Sequence, residues 1–265
     1  MRSIRKAGQE LYLSPDLTPF NGPVIFYPDN LLKQERRYSH EHKVINGLID
    51  QLPKATAYRF RCTPELDNWL PFYNVGFRQT TQYTYQIDSI KDLDTIRLKY
   101  KSSVRNDIQF AKQHYDLLPC QKPEELLPVI DATHHRKQKQ TPSIAKKIIE
   151  TTLRKKCGAA WLVKDKKSAK TVAGGHIVWD QHKAYLLLLG VDKSQSPRGA
   201  VQLLVDHLIE EASEVVDTFD FEGSMIQEVE PVYRAFGGSR VPYSIVSKAS
   251  RWYDLLFMLM RKKAW

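Results

Sequence analysis

From Gly190 to Tyr243 the chain reads GVDKSQSPRGAVQLLVDHLIEEASEVVDTFDFEGSMIQEVEPVYRAFGGSRVPY, and no other stretch constrains its fold as tightly. Ala184–Val191 is an apolar strand that ends in a Ser/Pro/Arg/Gly turn. Gly199–Val215 then repeats Val201, Leu204, Leu208 and Ala212 on one face, which predicts an amphipathic helix. Val216–Phe221 reads as a strand and Met225–Phe236 as a helix stopped at Gly237 or Gly238. Val241–Ser247 reads as a final strand. This order predicts an α/β fold in which a helix N-terminus faces the end of one strand and two acids ride on the next.

Upstream, Ala159–Lys164, Thr171–Trp179 and Ala184–Val191 form three strands joined by polar turns, the pattern of an antiparallel meander. Pro123–Thr133 and Ser143–Lys156 carry helical patterns. Thr80–Asp88 alternates cleanly. It puts Tyr83, Tyr85 and Ile87 on one face and Thr84, Gln86 and Asp88 on the other. Ser102 or Ser103 then caps a helix that buries Ile108 and Ala111. Earlier still, short strands are expected at Leu11–Leu13, Val24–Tyr27 and Ala57–Cys62, with a polar helix over Leu31–Leu52. A soft boundary near residue 95 divides the chain into an N-terminal half, 1–95, and a C-terminal domain, 96–265.

Lys and Arg number 40 against 30 acids, a net charge of +10. That excess suits an anionic partner such as nucleic acid, a phosphate-rich cofactor or an anionic membrane, or simply a solvated basic surface. Cys62, Cys120 and Cys157 stand far apart, which argues against a disulfide framework or a structural zinc site and fits a reducing cytoplasm. No metal is expected, because neither His40/His42 nor His134/His135 has Cys or Glu at a ligand spacing. No apolar run reaches the roughly 18–20 residues of a spanning helix. The N-terminus lacks the apolar segment of a signal peptide. Residues 252–263, WYDLLFMLM followed by Arg261-Lys-Lys263, either pack as a last helix or rest peripherally on an anionic inner membrane.

Two places carry chemistry. In Ser194-Gln-Ser-Pro-Arg-Gly-Ala200, Pro197 suits a helix start and Gly199 permits close backbone approach. The first helical amides with Arg198 make an anion site, unless the turn is an ordinary helix start. In Thr218-Phe-Asp-Phe-Glu-Gly-Ser224, alternation sets Phe219 and Phe221 against Asp220 and Glu222. Buried acids are costly without partners, so these two serve as general base, amine recognition or a structural hub paired with Arg234 or Arg240. Glu222, nearer the strand end, suits the base. Tyr233 and Tyr243 either give a proton to a leaving group or are core aromatics.

This constellation resembles the GNAT superfamily of N-acyltransferases, in the branch of Fem-type peptidoglycan interpeptide-bridge enzymes. The residues that carry the resemblance are Trp179-Asp180, Tyr185–Gly190, Gly199-Ala200, Phe219-Asp-Phe-Glu-Gly-Ser-Met225, Phe236-Gly-Gly238 and Pro242-Tyr243. Pro71-Phe-Tyr73, Gly76-Phe77, Thr80–Tyr85 and Arg105 with Ile108 and Ala111 extend it over roughly residues 60–248. It implies a GNAT-like mixed, mostly antiparallel sheet flanked by helices, in two related halves of which the first is partial. It also implies transfer of an acyl group to a small-molecule or peptide amine by direct attack. Glu222, Asp220 and Tyr243 are the implied catalytic residues. Val191, Gln195, Arg198, Gly199 and Ala200 are the implied donor contacts. The donor is then acyl-CoA, acetyl-CoA first, although Gln195–Ala200 lacks the second glycine of the family's phosphate loop. The alternative is an aminoacyl-tRNA donor with a cell-wall precursor as acceptor. A third reading is a non-catalytic protein that binds an anionic partner.

Overall fold

The computed structural model describes residues 2–6, 9–28, 33–195, 197–223, 225 and 227–250. In chain order the first elements are β1 (Arg2–Lys6), β2 (Gln9–Leu13), α1 (Gln34–Asp50), β3 (Ala57–Arg61), α2 (Leu70–Asn74) and β4 (Arg78–Asp88). Next come α3 (Leu93–Lys99), α4 (Ser102–His114), β5 (Tyr115–Pro119), α5 (Pro123–Arg136), α6 (Ala145–Arg154) and β6 (Gly158–Asp165). The last are β7 (Thr171–Trp179), β8 (Lys183–Val191), α7 (Ala200–Ser213), β9 (Thr218–Asp220), α8 (Glu230–Ala235) and β10 (Ser239–Ala249). They form two compact units, one of Met1–Gln82 with Pro242–Trp265 and one of Tyr83–Val241. The division falls inside β4 and again inside β10, so each of these long strands gives its two ends to different units.

In the first unit β1 and β2 make an antiparallel hairpin, β2 runs parallel to β3, and β3 is antiparallel to β10. The core is Ile45 of α1 with Phe60, Cys62, Leu66, Phe72, Phe77 and Val246. Glu41 is buried beside Ile45 and is satisfied there. The Tyr27 hydroxyl donates to its Oε1 at 2.8 Å and the Asn68 amide to its Oε2 at 2.7 Å. Val24–Tyr27 is not a strand. Pro23 and Pro28 flank it, and Phe26 is 84% exposed, so it has neither a ladder to join nor a face to bury.

The second unit holds the meander that the sequence predicts. β5–β6, β6–β7 and β7–β8 are antiparallel, β8 is parallel to β9, and β9 is antiparallel to β4. The sheets are thus mixed and mostly antiparallel, with helices against them. Two adjacent glycines set the layers. A Cβ on Gly174 would meet Leu126 Cδ1 at 2.6 Å, and one on Gly175 would meet Leu208 Cδ1 at 2.8 Å. Successive residues of a strand point to opposite faces, so α5 packs on one face of β7 and α7 on the other. α7 buries Leu203, Leu204, Leu208 and Ala212, and Asp206 takes a forked bond from Arg97 of α3 at 2.9 and 3.1 Å.

Three local expectations change. β9 covers only Thr218–Asp220, and α8 starts at Glu230 rather than Met225. Pro231 at the head of α8 sets that start. The Ser102/Ser103 helix begins one residue after Lys101, which caps it without a side-chain bond. β5 had no sequence-level counterpart, since its five residues are too few to register a pattern.

His176 of β7 is fully buried, its Nε2 against Thr152 Oγ1 at 2.9 Å. Burial lowers its imidazole from 6.5 to about 4. The unfolded chain therefore takes up this proton first. The stability His176 contributes is complete above pH 6.5 and is lost as pH falls toward 4. Urea midpoints between pH 7 and pH 4.5 should show this loss, with a slope of up to about 1.4 kcal/mol per pH unit. His176→Gln should flatten the profile, and an unchanged slope in that variant would remove His176 as the cause.

Candidate functional site

β9 ends where the second unit's chemistry gathers. Asp220 is its last residue and has no exposed surface. Pairing of β9 with β4 sets Gln86 directly opposite Asp220, and Gln86 Nε2 donates to its Oδ2 at 2.7 Å. The Thr84 hydroxyl and the Glu222 amide both donate to Oδ1, the latter at 2.7 Å. Burial pushes the Asp220 carboxyl above its ordinary range, and the bonds from Thr84, Gln86 and the Glu222 amide pull it back. Asp220 is therefore a hub whose three bonds knit β4, β9 and the turn after them.

That turn bends sharply. Glu222 has φ 59° and Gly223 φ 71°, two successive left-handed residues. For glutamate this conformation is uncommon and calls for support. Asp220 supplies it through the Glu222 amide. Gly223 is required because a Cβ there would lie 2.7 Å from the Tyr83 carbonyl. The result is a half-buried Glu222, fixed at a strand end on a backbone that few sequences adopt.

Around Glu222 the second unit adds aromatic and charged groups. Burial first, and then the Glu222 charge, push the Tyr233 phenol up to about 12, so it stays protonated. Its ring stacks on Phe221 at 4.7 Å. The Tyr85 hydroxyl donates to Glu230, which also pairs with Arg234 at 3.1 Å, and Arg240 lies 4.9 Å over the Tyr83 ring. Tyr243 belongs to the first unit, where its hydroxyl donates to Gln82 Oε1 at 2.9 Å and its ring meets Phe20 edge-on. Of the two tyrosines raised from sequence, Tyr233 is the one in the same unit as Glu222.

β8 runs past this turn. β9 is parallel to it only from Lys183 to Tyr185, opposite Thr218 to Asp220, and β8 continues to Val191 with no further β9 residue beside it. Phe221 instead bonds back to Tyr85, its amide donating to that carbonyl at 3.0 Å. The two parallel strands therefore part at the level of Asp220, and Glu222 sits on the departing side.

The expected donor contacts have internal partners. The Val191 amide donates to Thr133 Oγ1 at 2.7 Å, and the Asp192 amide to the Val172 carbonyl at 2.9 Å. Gln195 is exposed in a short 3-10 turn, its amide 3.4 Å from the Asp192 carbonyl. Arg198 Nε donates to Asp107 Oδ1 at 3.0 Å, with its guanidinium 4.7 Å over Phe110. Gly199 has φ 76°, and a Cβ there would sit 2.2 Å from the Asp107 carbonyl. Ala200 is fully buried. The close approach that Gly199 permits is thus to α4, and Arg198 already pairs with an acid. Sequence gave no local signal for Asp107. Thr84 and Gln86 did leave one, as uncharged polar residues alternating on a strand.

No protein-family model and no curated protein matches this sequence. Solved structures do match in shape. FemX superposes with a TM-score of 0.62 at 13% identity, over 82% of this chain and 79% of its own. The chain has the FemX fold. L-PGS from Bacillus licheniformis shares this Fem-type fold at TM-score 0.56 and 12% identity, over 86% of this chain and 76% of its own. The C-terminal domain of a putative lysylphosphatidylglycerol synthetase from Agrobacterium fabrum does so at 0.54 and 13%, over 76% and 70%. No helix among the described residues is long and apolar enough to cross a membrane. The basic tail, 252–263, lies outside the described residues.

Proposed function

We propose that this protein transfers an activated acyl group onto an amine, with Glu222 as general base and an aminoacyl ester rather than a CoA thioester as donor. The observation that carries the transfer is Glu222 itself, a carboxylate held on a left-handed turn where β8 and β9 part. An acceptor ammonium there gives one proton to Glu222, and the amine so formed attacks the donor carbonyl carbon. The carbon–oxygen bond to the leaving group breaks, and that oxygen must gain a proton. Tyr233 is a protonated phenol within reach of the Glu222 charge and is the group in this unit suited to supply it. Asp220 positions Glu222 and does not itself meet substrate, since its carboxyl is fully buried and triply bonded.

The donor assignment rests on the filled turn. A CoA diphosphate at Arg198–Ala200 would have to displace the Asp107 pair. An aminoacyl donor needs no diphosphate cradle at that position, and the excess of basic residues suits a nucleic-acid carrier. The likeness to FemX and to the C-terminal domain of a putative lysylphosphatidylglycerol synthetase supports the same choice. The acceptor then belongs to the cell envelope, as a peptide amine or an amine-bearing precursor.

Calorimetric titration with aminoacyl-tRNA, uncharged tRNA and a series of acyl-CoAs tests this. Aminoacyl-tRNA should bind better than uncharged tRNA, and acyl-CoA should not bind. Acyl-CoA binding that weakens in Arg198→Ala would overturn the donor assignment and restore the CoA reading. Salt-dependent binding of charged and uncharged RNA alike, with no transfer, would leave a binding protein.

A further inference from the structure

The motif Asp67-Asn-Trp-Leu-Pro-Phe-Tyr73 of the first unit has no part in the transfer chemistry, yet it builds a pocket. Phe72 turns into the core, 2% exposed, against Phe60 and Phe77. Trp69 is half-buried against that core, and Tyr73 stays outside it. Their rings meet at 80°, with centroids 5.4 Å apart. With Asp67, Asn68 and Leu70 they line an open pocket of about 430 Å³. Leu70 is 48% exposed and Tyr73 60%, so much of their apolar surface has no protein cover.

The polar side of the pocket is fixed. Asn68 gives its amide to buried Glu41 at 2.7 Å and takes the Leu70 amide on Oδ1 at 3.3 Å. Asp67 is exposed at the rim, and no described Lys, Arg or His lies within ion-pair distance of it. The same unit already seats cations on aromatic faces: Arg37 lies 4.5 Å over Tyr27 and Lys248 Nζ 5.6 Å over Phe77. Among the described residues no cation covers Trp69 or Tyr73.

We propose that the Asp67–Trp69–Tyr73 pocket binds an alkylammonium group, carried either by a free quaternary amine or by a lysine side chain. The exposed Tyr73 ring, set edge-to-face with Trp69, offers a negative π face to a cation, and Asp67 supplies the countercharge. An anion would meet Asp67 and the nearby Glu41. A neutral apolar group would gain the rings but leave the carboxylate unused. The proposal is independent of the transferase reading, which concerns the second unit.

The probe is the Trp69 indole N–H resonance, assigned with Trp69→Phe, in titrations of the full chain. The ligands are choline, Nα-acetyl-lysine methylamide and 3,3-dimethyl-1-butanol, the uncharged analogue of choline. Both cations should shift the resonance saturably, and the neutral analogue should bind about tenfold more weakly or worse. Asp67→Asn, a surface change, should weaken both cations severalfold with an unchanged melting temperature. Tighter binding of choline would identify a free quaternary amine, and tighter binding of the lysine derivative a peptide. Equal affinity for the neutral analogue, or no saturable shift by either cation, would overturn the proposal. So would full affinity in Asp67→Asn.

Discussion

Gly199→Ala is expected to destabilise the second unit by about 2–5 kcal/mol, a sum of two costs. The first is conformational. At φ 76° an alanine pays about 1–2 kcal/mol that glycine does not. The second is steric, because the new Cβ would lie 2.2 Å from the Asp107 carbonyl oxygen and 3.1 Å from Ala111 Cβ. The carbonyl belongs to the backbone of α4 and cannot step aside without moving α4 off α7. The melting temperature should fall by roughly 5–15 °C. Arg198→Ala, which removes only an exposed ion pair and a ring contact, should change it little. The comparison separates two explanations of this glycine. If it made room for a donor phosphate, alanine would leave the melting temperature alone and abolish donor binding. That outcome would sink the packing account.

The same residue shows what a sequence can and cannot reveal. The meander β6–β8 and helix α7 were legible because their signals are local: alternation or a 3.6-residue period over eight to fourteen residues. Gly237, with φ 76°, is likewise the helix stop that its position suggested. The turn at Gly199 was legible as a special backbone but not for its neighbour. Asp107 is 91 residues from Arg198, and nothing local announces that α4 crosses there. Thr133, which takes the Val191 amide, is 58 residues from it, and Thr84 is 136 from Asp220. Such contacts are set by sheet order and helix packing, which periodicity does not encode. The division of β4 and β10 between units escaped for the same reason, since each is one continuous strand by pattern. Glu222 is the intermediate case. Its acid and its strand-end position were readable, but its left-handed backbone and its support by Asp220 were not.

Glu222→Gln is expected to lower turnover by about 10²–10⁴-fold while leaving the fold and the donor affinity intact. Glutamine has the same shape and tolerates the same backbone, and the Asp220 bond to the residue 222 amide does not involve the side chain. What is lost is the ability to take a proton from the acceptor ammonium before it attacks. The loss should therefore depend on the acceptor. With an amine protonated at the assay pH the full decrease is expected. With hydroxylamine, already neutral near pH 7, the variant should recover most of the wild-type rate. Tyr233→Phe should slow transfer from donors with poor leaving groups more than from good ones, since it removes the proton those leaving groups need. An equal loss for both amines would make Glu222 a positioning residue rather than the base. Unchanged turnover in Glu222→Gln would move the chemistry away from this turn altogether, and the parting of β8 and β9 would then serve only packing.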